Sequence, residues 1–298
     1  MAVFANVDLF AVGRYLAGGD INVFSAYHRE ETGAWRGWFP LPNWAATSTR
    51  PASAGLRAVI NGNSIDLFML SEDGRIYTSF WRPGREWSEW ASVGTWPSRD
   101  IKARPGPAVL QVGTNIDLFV IGSDGNVYTA YFREDRGWNG WFRVLAFPDG
   151  FKAAFEIEAI ARNPGEIDLF VLADRESPPE RKLFTSWWRP EKRWSDGATF
   201  WSPLTSGGLP VGTFFKHTVA AVSSTPDGID LFAICGGGTG LTGLVYTLYF
   251  RADLGWSSEW KPIRDGLLKP GLAGPTRAMS RVTAVSKSQY AIDLCTVS

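Results

Sequence analysis

Six copies of a four-residue signature, regularly phased along the chain, constrain the fold more than any other feature. VDLF at 7–10, IDLF at 65–68, 116–119, 167–170 and 229–232, and IDLC at 292–295 set Asp8, Asp66, Asp117, Asp168, Asp230 and Asp293 at separations of 58, 51, 51, 62 and 63 residues. A period of about fifty residues is that of a small supersecondary unit copied in tandem, each copy burying its apolar faces against its neighbours.

The content of each unit is strand-like. After each of the first five signatures comes an alternating segment: VFSAYHR at 23–29, IYTSFWR at 76–82, VYTAYFR at 127–133, LFTSWWR at 183–189 and VYTLYFR at 245–251. Period-two alternation with aromatic enrichment marks half-buried strands. A third segment holds paired tryptophans, Trp35/Trp38, Trp87/Trp90, Trp138/Trp141, Trp194/Trp201 and Trp256/Trp260. A short apolar run precedes most signatures, as in LRAVI at 56–60, PAVLQV at 107–112, IEAIA at 157–161, HTVAAV at 217–222 and VTAVS at 282–286, with MAVFA as the equivalent at the start. Asp73-Gly74 and Asp124-Gly125 supply tight turns before two of the aromatic strands. The other turns are replaced by RYLAGGDIN, DRESPPERK and GGGTGLTG, unequal tips on a repeated frame.

Four strands per unit in an all-β chain give a β-propeller of four-stranded antiparallel blades. The expected form is a single domain over 1–298, with repeats at about 1–50, 51–101, 102–150, 151–210 and 211–275 and a partial repeat at 276–298. That is five complete blades plus a half-blade or incomplete sixth blade. Closure as a six-fold ring, five blades with a covering tail, or assembly from several chains all stay open, and an unfilled blade edge would favour a homo-oligomer.

Composition removes several function classes. The 298 residues carry 30 Lys plus Arg against 30 Asp plus Glu, so no general attraction to nucleic acid is expected. No run approaches 18 apolar residues, so no membrane insertion is expected. The N-terminal MAVFANVDLFAVG lacks the features of a signal peptide, which points to cytoplasmic synthesis with release by a non-classical route left open. Cys235 and Cys295 lie 60 residues apart without metal or redox spacing and read mainly as buried thiols. With only His28 and His217 and no phosphate loop, no metal, cofactor or catalytic residue is assigned.

The stretch IDLFVIGSDGNVYTAYFREDRGWNGWFRV at 116–144 resembles the tryptophan-rich propeller lectins of bacteria and fungi, including the Photorhabdus fucose-binding group. The pattern recurs from residue 3 to about 263 and again over 282–298. The resemblance implies a multivalent carbohydrate binder with shallow pockets between adjacent blades, near Trp38, Trp90, Trp141 and Trp260, and makes fucose a candidate sugar.

The residues themselves support that chemistry with alternatives. An indole covers the C–H face of a pyranose and offers one N–H donor, while an arginine presents several fixed donors to hydroxyls. The second tryptophan of each pair is a sugar platform or a packing residue; the first is assigned to the core. Trp81 and Trp188 join the candidate platforms, since alternation separates them from Phe80 and Trp187. Arg29, Arg82, Arg133, Arg189 and Arg251 read hydroxyls or pair with an acidic neighbour. The Asp series, one per unit at the same phase, is structural, because acid–base chemistry needs unlike groups in one pocket. The leading reading is a non-catalytic lectin that cross-links glycans. The alternatives are a protein-interaction or assembly module using exposed tryptophans, and a glycan-processing enzyme.

Overall fold

The computed structural model describes residues 7–14, 21–42, 44, 49–52, 55–61, 63–104, 106–204, 209, 213–237, 244–263, 281–288 and 291–297. The expected strand MAVFA and most of the RYLAGGDIN and GGGTGLTG tips lie outside these residues, as do the side chains of His217, Asp293 and Cys295. Among the described residues no helix is long and apolar enough to cross a membrane.

Every repeat folds into its own antiparallel sheet. Val7–Arg14 (β1), Ile21–Arg29 (β2) and Ala34–Pro40 (β3) form the first, and Arg57–Asn61 (β4), Ser64–Leu70 (β5), Ile76–Trp81 (β6) and Ala91–Ser92 (β7) the second. The third contains Ala108–Val112 (β8), Asn115–Ile121 (β9), Val127–Arg133 (β10), Gly137–Trp138 (β11) and Phe142–Arg143 (β12). The fourth contains Lys152–Ile160 (β13), Ile167–Arg175 (β14), Glu180–Arg189 (β15), Arg193–Trp194 (β16) and Ser202–Pro203 (β17). The fifth contains Thr213–Thr225 (β18), Gly228–Gly237 (β19), Leu244–Arg251 (β20), Gly255–Trp256 (β21) and Lys261–Pro262 (β22); Arg281–Ser288 (β23) and Ala291–Val297 (β24) pair as the sixth. Sequential strands are neighbours, as in a meander. The tryptophan segment differs from the expected fourth strand, because in the third to fifth sheets it splits into two dipeptide strands, both paired to the aromatic strand.

The chain divides into two compact units, Met1–Ser123 with Tyr128–Phe142 and Asp124–Val127 with Arg143–Ser298. Within each, the parity of the signature decides which neighbour a side chain meets. In the first unit Ile65, Leu67 and Met69 pack with Val23, Leu41 and Trp44 of the first repeat, while Phe68 and Leu70 on the opposite face pack with Ile116, Leu118 and Tyr128 of the third. In the second unit Phe170 and Leu172 pack with Leu231, Ala233 and Tyr246 of the fifth sheet, and Phe232 and Ile234 meet Ile292 and Leu294 of the sixth. Both faces of a sheet are therefore apolar, the requirement for face-to-face stacking.

In the second, third and fourth repeats the second tryptophan of the pair forms the joint with the preceding repeat. Trp90 packs on Trp44 with centroids 4.6 Å apart, Trp141 on Trp96 at 5.0 Å, and Trp201 on Phe147 at 5.3 Å. The partner lies six residues beyond the preceding repeat's second tryptophan, since Trp44 follows Trp38, Trp96 follows Trp90 and Phe147 follows Trp141. Trp141 also donates its indole N–H to the Val93 carbonyl at 2.7 Å and its backbone N–H to Thr95 at 2.9 Å.

The Asp-Gly turns dock on the next repeat. Gly74 has φ +79°, its carbonyl accepts from Ala103 N, and a Cβ there would sit 2.5 Å from Lys102 Cβ. Gly125 repeats this with φ +79°, Ala153 N and a Cβ approach of 2.6 Å to Lys152. Only glycine satisfies both the left-handed backbone and the close approach. DRESPPERK instead extends its hairpin, with Asp174 opposite Arg181 and Arg175 opposite Glu180.

Candidate functional site

The Asp of each signature lies directly across from an aromatic residue of the following strand: Asp8 from Tyr27, Asp66 from Phe80, Asp168 from Trp187 and Asp230 from Tyr249. Two residues further along that strand, on the same face, stands the recurring arginine, a diagonal within reach of a long side chain. Its Nη2 meets the aspartate Oδ1 at 2.8 Å in Arg29–Asp8, Arg82–Asp66 and Arg189–Asp168, and at 2.9 Å in Arg133–Asp117 and Arg251–Asp230. The guanidinium also lies over the ring two residues back, at 4.5 Å for Tyr27, 4.6 Å for Phe80 and Tyr131, 5.4 Å for Trp187 and 5.1 Å for Tyr249. From the second repeat onward its Nη1 donates to the carbonyl just before the aspartate, as from Arg189 to Ile167 at 2.9 Å. The arginines thus pair with acidic neighbours, and the aspartates are fixed acceptors within the scaffold. Burial pushes the Asp117 carboxyl up, against the downward pull of Arg133.

The fourth unit departs from this pattern. Asp168 accepts from Arg189 and also from Nε of Arg162 at 3.0 Å, the only second guanidinium on these five aspartates among the described residues. Arg162 enters from the turn between β13 and β14, and its guanidinium lies 5.4 Å from the ring centroid of Phe250 in the fifth sheet. Glu166, from the same turn, stands 3.5 Å from Arg189 Nε and accepts from Asn163 Nδ2 at 3.1 Å. By contrast, Asp66 Oδ2 is buried with no hydrogen-bond partner among the described residues.

An open cleft of about 770 Å³ lies beside this cluster, between the fourth and fifth sheets. Trp187 forms one wall; Phe250 and Trp256 form the other, with Arg162, Glu166 and Arg189 at the polar base. Such a mixture of apolar rings and a few oriented polar groups is what a ligand cleft of about 300–1,000 Å³ requires.

The expected platforms fall differently. Trp90, Trp141 and Trp260 are only 4%, 3% and 3% exposed, so their ring faces are given to packing between sheets. Trp38 is 55% exposed on β3, but its companion Trp35, assigned to the core from sequence, is 54% exposed as well. The first members Trp87, Trp138 and Trp256 lean edge-on against Phe10, Phe68 and Phe170 of the preceding sheet and stay half-buried. Trp87, Trp138 and Trp256 thus pack against the core as expected, but the second rings Trp90, Trp141 and Trp260 are buried more deeply still and are no platforms. Trp81 packs at the margin of the first-unit core. Trp188 faces Trp194 at 5.7 Å and does not line the cleft. Of the expected arginines, the cleft brings in Arg189 alone. Sequence reasoning missed Trp187, Trp256, Arg162 and Glu166; the alternation TxWxR at 185–189 held the signal for Trp187, being the face that shares Asp168.

Solved structures share the fold. The lectin BP39L from Burkholderia pseudomallei aligns with a TM-score of 0.59 at 17% identity, over 85% of this chain and 69% of that one. AofleA from Arthrobotrys oligospora, as a triple arginine-to-alanine variant, aligns at 0.55 and 16% identity over 97% and 81%. The fold is a β-propeller, as in these structures. A polysaccharide lyase, an ulvan lyase, also aligns with this propeller, at 0.53 and 12% identity over 86% and 68%, so the fold by itself does not separate binding from cleavage. No protein-family model matches the chain, and no curated protein does.

Proposed function

We propose that this chain is a non-catalytic carbohydrate-binding protein whose principal site is the cleft between the fourth and fifth sheets. The observation that carries the reading is the pairing of half-buried rings, Trp187 and Trp256, with the Arg162–Asp168–Arg189 cluster and Glu166. Indole faces cover the apolar side of a sugar ring, and fixed guanidinium and carboxylate groups read hydroxyls. A binding role fits the carboxylates, since Asp168 is held by two guanidiniums and Glu166 by Asn163 and Arg189 as fixed acceptors. The proteins BP39L and AofleA, which share the fold, lend the reading its class. The other Arg–Asp–aromatic faces have no second guanidinium among the described residues and would serve as weaker sites, from which multivalent cross-linking of glycans follows.

The test is glycan-array binding followed by calorimetry with Trp187→Ala, a ring outside the buried core. Binding weakened at least about tenfold, or about 1.4 kcal/mol, with an unchanged melting temperature supports the site. A second reading, a protein-interaction module, is favoured by Trp35 and Trp38, two exposed indoles on β3. Absence of binding across a broad array of glycans, with the fold verified, transfers the function to that surface.

A further inference from the structure

We propose that the cleft between the fourth and fifth sheets takes a neutral oligosaccharide of at least two sugar units, one against each wall, in place of a single terminal sugar. This rests on the carbohydrate reading above and extends it to the length and charge of the ligand.

The first observation is size. The cleft measures about 770 Å³, well inside the range of about 300–1,000 Å³ that encloses drug-sized molecules. One pyranose, with roughly a dozen heavy atoms, is smaller than such molecules and would leave much of the apolar lining wet.

The second is the placement of the rings. Trp187 belongs to β15 in the fourth sheet, whereas Trp256 and Phe250 belong to β21 and β20 in the fifth. Each wall has one ring face already covered by an arginine, Arg189 on Trp187 and Arg162 on Phe250, both at 5.4 Å. A sugar stacked on Trp187 uses the uncovered face, and Trp256, set at 57° to Phe250, presents a separate surface on the other wall. Two stacking surfaces on two elements, with the polar cluster between them, make two subsites joined by a hydroxyl-reading base.

The third is charge. Arg162, Arg189 and Lys192 are balanced by Glu166, Asp168 and Glu191 along the lining. A uronate or sulfate would meet the three carboxylates without a net positive field to offset them. Neutral sugars meet no such opposition, and their hydroxyls can donate to Glu166 and accept from Arg162.

The experiment is a titration of the full chain with N-acetylglucosamine and its β-linked di-, tri- and tetramers, and with fucose and fucosylated di- and trisaccharides. A galacturonic acid series of the same lengths serves as the anionic probe. The expected result is at least tenfold tighter binding of a neutral disaccharide than of its monosaccharide. Little change is expected when NaCl rises from about 0.05 to about 0.5 M. Trp187→Ala should flatten the length dependence while the monosaccharide still binds. If that variant does not fold, the length series on the unaltered chain decides alone. Equal affinity for one and for several units, or tighter binding of the galacturonic acid series, overturns the proposal while leaving carbohydrate binding in place. Failure of every probe to bind overturns both.

Discussion

The second and fourth repeats carry the same Asp–Arg–aromatic face and use it differently. In the second, Asp66 has one guanidinium among the described residues, that of Arg82, and its buried Oδ2 has no hydrogen-bond partner among them. In the fourth, Asp168 has two, and the additional arginine leans toward the neighbouring sheet and borders a cleft. A repeated scaffold thus acquires a distinct site through its turns, where Arg162 and Glu166 stand, while the strands stay the same. The difference also means that the two aspartates should respond unequally to the same substitution.

The largest effect is expected for Asp168→Ala, which leaves Arg162 and Arg189 facing each other with side chains only 14% and 16% exposed. A loss of about 3–5 kcal/mol is expected in urea unfolding. Asp66→Ala frees only Arg82, which is 35% exposed and can hydrate, so about 1–2 kcal/mol is expected. Equal losses would show that the second guanidinium adds nothing.

The arginines invert the contrast. Arg82→Met removes the only charged partner of Asp66 among the described residues and should cost about 2–3 kcal/mol. Arg162→Met leaves Asp168 held by Arg189, so stability should fall by about 1 kcal/mol or less. Its cost should appear in glycan titration instead.

A smaller effect separates two joints that look alike. Trp141→Phe deletes an indole hydrogen bond to Val93 and should cost about 1–2 kcal/mol. Trp201 stacks flat on Phe147 with its buried Nε1 lacking a partner among the described residues, so Trp201→Phe should be milder by about 1 kcal/mol. Thermal melts of the two variants side by side make the comparison.

The least perturbing probe is Cys235, whose thiol burial pushes from 9.0 up to about 12. The folded chain therefore keeps a proton there that the unfolded chain releases, so this contribution is complete below pH 9 and is lost as pH rises toward about 12. At neutral pH iodoacetamide should spare Cys235 in the native protein, read by peptide mass spectrometry. Asp168→Ala, in the same compact unit, should speed its labelling, whereas Asp66→Ala should not.

The repeat and the strands were legible because both are written in periods: an Asp near every fiftieth residue or slightly more, and alternation within each segment. The arginine-to-aspartate pairing was present among the sequence alternatives, since both residues recur at fixed phase. The deep burial of Trp90, Trp141 and Trp201 was not legible. Which ring enters the joint depends on a residue six positions beyond the previous pair, and Trp44, Trp96 and Phe147 fall in stretches with no alternation to mark them. The cleft was hidden for a related reason. Arg162 and Glu166 sit in a turn, recur in no other repeat, and acquire meaning only when β14 brings them beside Asp168 and the fifth sheet brings Phe250.

The joint built from a tryptophan and the aromatic residue six positions past its predecessor has a consequence for ancestry. The second and third repeats each carry a plug, Trp90 or Trp141, that fits the repeat before, and six residues on a socket, Trp96 or Phe147, that receives the plug of the repeat after. Copying such a repeat in tandem yields an array whose new seams fit at once, so a gene of this kind can lengthen by duplication before any compensating change. A drift in the plug of one copy, in contrast, must be answered in the copy upstream, which couples the histories of adjacent repeats more tightly than those of distant ones.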